Sequence, residues 1–139
     1  MQPDPVRTAD TQAWLEKAAM DLRSAEADLG VSPPIVGDAL FHCQQAIEKA
    51  LKAFLTWHDE PFRKTHDLGE LGMQCVALDG TLEALLRRAA PLTEYAWKYR
   101  YPGDVDAPSP DAAHEAVALA QEVFRDVSSR TKTDEPGEG

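Results

Sequence analysis

The chain has 139 residues, 43% hydrophobic and 27% charged, with a formal net charge of −10. That length suits one domain around a single core, the balance excludes a disordered chain, and the acidity excludes wholesale electrostatic coating of nucleic acid. MQPDPVRTAD lacks the basic and apolar regions of a secretory signal, and no apolar run approaches the roughly 20 residues that span a bilayer, so a cytoplasmic protein with no membrane partner is expected.

Taken in order, residues 1–9 read as a flexible N-terminus, 10–128 as one helical domain and 129–139 as a disordered acidic tail. The first helix is predicted over 11–29, capped by Asp10 or Thr11, with Leu15, Ala18, Leu22, Ala25 and Leu29 on one face. Gly30 and the prolines after it stop that helix. The second helix spans about 35–58, and Val36, Leu40, Cys43, Ile47, Ala50, Phe54 and Trp57 form an almost strict heptad stripe. His42, Gln45, Lys49, Lys52 and Thr56 make a separate polar line. Gln44 and Glu48 lie beside it, with Gln44 and Gln45 facing different ways, and Glu48 is placed to pair with Lys52 at i,i+4.

Asp59-Glu60-Pro61 breaks the chain, and the loop FRKTHDLGEL brings Arg63, Lys64 and His66 to a third helix of about 67–78. Thr65 or Asp67 is placed to cap it. A helix N-terminus favours anions, so Lys64 and His66 are candidate phosphate ligands there. A fourth helical region, 81–100, is divided near Ala90 by Pro91. After the turn-rich YPGDVDAPSP, Ser109 and Pro110 open a last helix packed through Ala113, Ala116, Ala120, Val123 and Val127. With no strand-like alternation, the fold class is all-α, an up-and-down bundle of four to five helices.

The chemistry-bearing residues fall into three groups. His42, Gln45, Lys49 and Lys52 read either as a solvated helix face or as a polar groove, whose amides and ammonium groups suit base edges and phosphates. Residues 49–100 hold eight of the fourteen Lys and Arg against seven acids, while the flanks hold six against seventeen. Any phosphate is therefore expected near the middle of the chain. Tyr95, Trp97, Tyr99 and Tyr101 read either as packing residues or as a stacking surface beside Lys98 and Arg100. Arg100 is the preferred single functional residue, because it leaves a rigid element and can grip phosphate bidentately. Cys43 and Cys75 read as reduced core thiols. His42, His58 and His66 lack zinc-like spacing with either cysteine, so neither a metal nor a cofactor is expected.

The ordered set AAMDLRSAEADL, FHCQQAIEKALKAFL, KTHDLGEL and LTEYAWKYRYPGD resembles the HEPN domain family, over roughly residues 11–127. More narrowly, it is similar to stand-alone prokaryotic HEPN proteins that partner a minimal nucleotidyltransferase. The resemblance implies a four-helix core plus an extra short helix, a homodimer, and a role in nucleotide or RNA chemistry, often in toxin–antitoxin pairs. It also implies, for many members, metal-independent ribonuclease activity through an Arg-x4-6-His motif. Arg100 stands where the catalytic arginine is expected, but the histidine window holds Val105, Asp106 and Ala107. The resulting expectation is a binding or regulatory module, with His42, Gln45, Lys49, Lys52, Lys64, His66 and Arg100 meeting nucleotide or phosphate and Tyr99 and Tyr101 stacking. The alternatives are a ribonuclease toxin in which His66 or His42 replaces the missing base, and a structural assembly partner that binds no nucleotide.

Overall fold

The structure, a computed structural model, describes residues 4–104 and 106–132. Five α-helices follow one another: α1 (Pro5–Gly30), α2 (Val36–Trp57), α3 (Leu68–Leu78), α4 (Glu83–Ala89) and α5 (Pro110–Arg130). Short 3-10 segments, Gly80–Leu82 and Ala90–Ala96, flank α4, and no strand occurs among the described residues. No described helix is long and apolar enough to cross a membrane.

α2 is the axis of the bundle. It packs most extensively on α1, then on α5, and about equally on the second 3-10 segment and α3. Its predicted stripe is buried at Leu40, Cys43, Ile47, Ala50 and Phe54, and Ala39, Ala46, Leu51, Ala53 and Leu55 extend that burial around the helix. A helix enclosed on so many sides has little room for solvated polar residues, which matters for the site below. Opposite it, Leu15, Ala18, Leu22 and Ala25 of α1 and Ala113, Ala116, Ala120, Val123 and Val127 of α5 present the predicted faces. Cys43 and Cys75 are free and buried, and burial pushes both thiols up to about 12, as befits inert core residues.

Both helical ends of the domain extend beyond expectation. α1 begins at Pro5, because Asp4 accepts from the Val6 N–H at 2.8 Å and proline fits the first helical position. Thr11, expected as a cap, is instead buried in the helix and donates to the Arg7 carbonyl at 2.8 Å. At the other end α5 continues to Arg130, whose guanidinium meets Asp126 at 2.6 Å and Asp79 at 2.5 Å. Thr131 is fully buried behind it. The first residues of the expected tail are thus helix and turn; the rest of it, 133–139, lies outside the described residues, as do residues 1–3.

The α3 start follows the sequence reading. Asp67 accepts from the Gly69 and Glu70 N–H groups at 2.9 and 3.2 Å, and Thr93 Oγ1, from the second 3-10 segment, accepts from the Leu68 N–H at 3.0 Å. Pro91 ends regular α-helix at Ala89 as expected, and it thereby delivers Thr93 to α3. Asp67→Ala removes a two-donor cap and is expected to cost about 1 kcal/mol, read as a lower urea midpoint with an unchanged m-value.

Candidate functional site

The polar residues of α2 are organised by carboxylates, and they form two clusters. The first surrounds Glu48, whose side chain is only 5% exposed. Lys52 Nζ donates to Glu48 Oε2 at 2.9 Å, Gln44 Nε2 to Oε1 at 3.2 Å, and His66 Nδ1 lies 2.7 Å from Oε1. Gln44 Nε2 also reaches the His66 carbonyl at 2.9 Å, which fastens the loop before α3 onto α2. Lys52 sits under the rings of Trp14 and Phe62, at 5.5 and 5.7 Å from their centroids. Burial raises the Glu48 pKa, but the bonds from His66, Lys52 and Gln44 outweigh it and hold the carboxyl below the ordinary glutamate range. The His66 side chain is 64% exposed. With Nδ1 turned to Glu48, Nε2 is the nitrogen directed outward, an arrangement that orients an imidazole for proton transfer.

The second cluster lies toward the start of α2. Asp21 of α1 accepts from Lys49 Nζ at 2.6 Å and faces His42 Nδ1 at 2.8 Å. His42 Nε2 in turn lies 3.4 Å from Asp38 Oδ2, and Asp38 Oδ1 accepts from Arg100 at 2.9 Å. The Arg100 guanidinium is stacked on the Phe41 ring, 3.9 Å from its centroid. Asp28, at the end of α1, closes the group. Burial, then the neighbouring Asp38, pushes its carboxyl up to about 6. Asp38 is held low despite its own burial, because Asp28, Arg100 and His42 all favour its charge.

Arg100 also borders an open cleft of about 480 Å³ with Asp38, Tyr99, Tyr101, Asp104 and Asp106. Tyr99 shapes it. Its φ of +65° is a left-handed conformation that bulky residues rarely adopt, and it turns the chain back toward the first turn of α2. Gly37 permits the approach: a Cβ there would stand 3.2 Å from both Tyr99 Cβ and the Tyr99 carbonyl oxygen.

The predicted site residues therefore divide. His42, Lys49 and Arg100 meet in the second cluster, Gln45, Lys52 and His66 join the first, and Lys64 is exposed and bonded to neither among the described residues. Asp38 and Glu48, which anchor Arg100 and His66, are ten positions apart on α2, about 15 Å along its axis. Gln44 and Gln45 do not face apart as expected. The Gln45 amide curls back to donate to Gln44 Oε1 at 2.7 Å, because Gln44 is turned inward by Glu48 and the His66 carbonyl. At α3 the N–H groups available to an anion are already bonded by Asp67 and Thr93. Tyr99 is half-buried against the core with its ring 6.0 Å from that of Tyr95, whereas Tyr101 is 70% exposed. Sequence reasoning missed Asp21, Asp28 and Asp38. Each sits where α1 faces the start of α2, and the one available signal was that Asp21 and Asp28 fall three positions after Ala18 and Ala25 of the apolar face of α1.

The HEPN domain model matches residues 11–130. Among solved structures, TT1696 from Thermus thermophilus is similar at 29% identity and a TM-score of 0.73, covering 86% of this chain and 97% of that one. ST0689, described as an archaeal HEPN homologue, is similar at 25% identity and a TM-score of 0.68, covering 88% of this chain and 98% of its own. A search of the curated proteins found no match.

Proposed function

Because the chain belongs to the HEPN domain family, we propose that it is a binding or regulatory module in nucleotide or RNA chemistry. In this reading it acts as a homodimer beside a separately encoded minimal nucleotidyltransferase, in a pair of toxin–antitoxin type. The partner supplies the nucleotidyl transfer, since the sequence has no Gly-rich phosphate loop. The observation that carries the reading is the state of Arg100. Its guanidinium is paired with Asp38, Asp104 and Asp106 stand at the same cleft, and no described residue lining that cleft is a histidine. The cleft lacks the histidine of the usual ribonuclease set, and its acids weaken the grip of Arg100 on a polyanion, so weak, salt-sensitive binding or regulation is favoured over cutting.

One set of measurements tests this. RNA incubated with the purified chain in EDTA stays intact, and ATP or short RNAs bind at low salt and weaken as salt rises. Metal-independent cleavage abolished by Arg100→Ala overturns the reading. Absence of binding at low salt, with the nucleotidyltransferase present, leaves a structural assembly partner.

The Glu48–His66 pair favours a second reading, a ribonuclease in which His66 serves as the base. Arg100 and His66 are anchored too far apart on α2 to flank one phosphate within a single chain, so this reading requires Arg100 from a second copy. It predicts that Arg100→Ala and His66→Gln each abolish cleavage, and that mixing the two inactive variants restores part of it.

A further inference from the structure

α1 and α2 bring together three side chains that neither the sequence spacing nor the proposed RNA role explains. One ligand-type atom from each of Asp28, Asp38 and His42 lies within 4.8 Å of the other two. One edge, His42 Nε2 to Asp38 Oδ2, is 3.4 Å. Metal bonds of about 2.0–2.2 Å place neighbouring ligands roughly 3–3.5 Å apart, so that edge already has the required length. We propose that Asp28, Asp38 and His42 form a binding site for a first-row divalent cation, with Zn²⁺ the best fit to one imidazole and two carboxylates.

Two further observations point to a ligand rather than to a chance gathering of acids. Asp28 Oδ2 is buried with no donor facing it, and the side chain in reach of Asp28 is the Asp38 carboxyl, so two acceptors meet with nothing between them but a shared proton, an arrangement a cation relieves. His42 is also prepared for ligation. Asp21 Oδ1 sits 2.8 Å from its Nδ1, so Nδ1–H can donate there while Nε2, the nitrogen facing Asp38, serves as the ligand atom. A carboxylate behind a ligating histidine is the usual outer support of such sites. Asp21 is itself steadied by Lys49, and Arg100 occupies the far oxygen of Asp38, leaving Oδ2 for the ion. Counting Asp21, Asp28 and Asp38 against Lys49 and Arg100, a dication enters a field that is net negative. Nitrogen in the donor set selects zinc and its neighbours over Mg²⁺ and Ca²⁺, which prefer oxygen alone. The ion joins the end of α1 to the start of α2, beside the Arg100 cleft.

The test is calorimetric titration of the full chain with Zn²⁺ after chelator treatment and removal of the chelator. The expected result is one equivalent bound, with affinity reduced at least about tenfold in Asp28→Asn and in His42→Gln, and by a similar factor in the supporting Asp21→Asn. His66→Gln binds as the parent does. Asp28→Asn keeps the side-chain shape and can donate to Asp38, so its helicity without metal is unchanged. A second readout needs no variant: in the ring-nitrogen spectrum of the parent chain, Zn²⁺ moves His42 Nε2 and leaves His58, His66 and His114 in place. The proposal is overturned if the parent takes up no zinc, if Asp28→Asn and His42→Gln bind as tightly as the parent, or if another histidine moves in place of His42.

Discussion

Replacing Glu48 by alanine is expected to destabilise the protein by about 3–5 kcal/mol, the range for breaking a buried ion pair from one side. The reason lies in what the carboxylate holds. The Lys52 side chain is 9% exposed and its ammonium donates to Glu48, so truncation leaves a desolvated cation facing only the Trp14 and Phe62 rings. Gln44 and His66 lose a shared acceptor in the same step. At this chain length the loss corresponds to a thermal midpoint lower by roughly 10 °C or more. Removing the stranded charge as well, in Glu48→Ala with Lys52→Met, should recover a substantial part of it. Failure of the second substitution to recover any stability would show that Lys52 reaches solvent without its partner.

The same residue makes stability depend on pH in one direction. Glu48 titrates below its ordinary value because His66, Lys52 and Gln44 outweigh its burial, so the folded state binds its proton less readily than the unfolded chain does. Its contribution is therefore complete above the ordinary glutamate range, about 4.3, and is lost as pH falls through the depressed folded value. Urea melts of the parent and Glu48→Gln should differ most near neutrality and begin to converge below about pH 4. A gap that widened on acidification would mean that the carboxyl is proton-bound in the folded state at neutral pH.

These residues also mark the boundary of what the sequence discloses. The helix order, the buried stripe of α2 and the Ser109–Pro110 start of α5 all follow from local rules, and the all-α bundle is legible from them, whereas the HEPN family is legible only from the resemblance of whole motifs. Burial of Gln44, Glu48 and Lys52 is not legible in that way. An amide, a carboxylate and an ammonium on one helix read as solvent-facing until a second segment supplies partners, and here the partner is a loop histidine eighteen positions away from Glu48. The Asp28–Asp38–His42 group is harder still, because it depends on how the Gly30–Pro34 turn angles α1 against α2, a tertiary quantity absent from spacing. Likewise, the reading of the candidate site residues as phosphate ligands treated the cations of α2 as free. Each of His42, Lys49, Lys52, His66 and Arg100 instead has a carboxylate in contact, and the contacts sort them into two places.

Gly37→Val is expected to cost about 1–3 kcal/mol, the range for inserting bulk where there is no room, and to dismantle the Arg100 cleft. At Gly37 a Cβ alone would stand 3.2 Å from Tyr99 Cβ and from the Tyr99 carbonyl oxygen. One of those is backbone, so it cannot swing aside as the end of a flexible side chain would. Relief requires moving the chain at Tyr99, which already holds an unfavourable φ of +65°, and Arg100 is the next residue. The guanidinium should then leave both Asp38 and the Phe41 ring, contacts made at 2.9 and 3.9 Å. Helix propensity works the other way by a few tenths of a kcal/mol, because valine is a slightly better helix former than glycine, so a lowered urea midpoint reports the clash. The second reading of the same variant is functional. If Arg100 holds nucleotide or RNA, Gly37→Val should weaken that binding as Arg100→Ala does, although the arginine is still present. Binding unchanged in Gly37→Val but lost in Arg100→Ala would show that the guanidinium acts without the Asp38 and Phe41 supports.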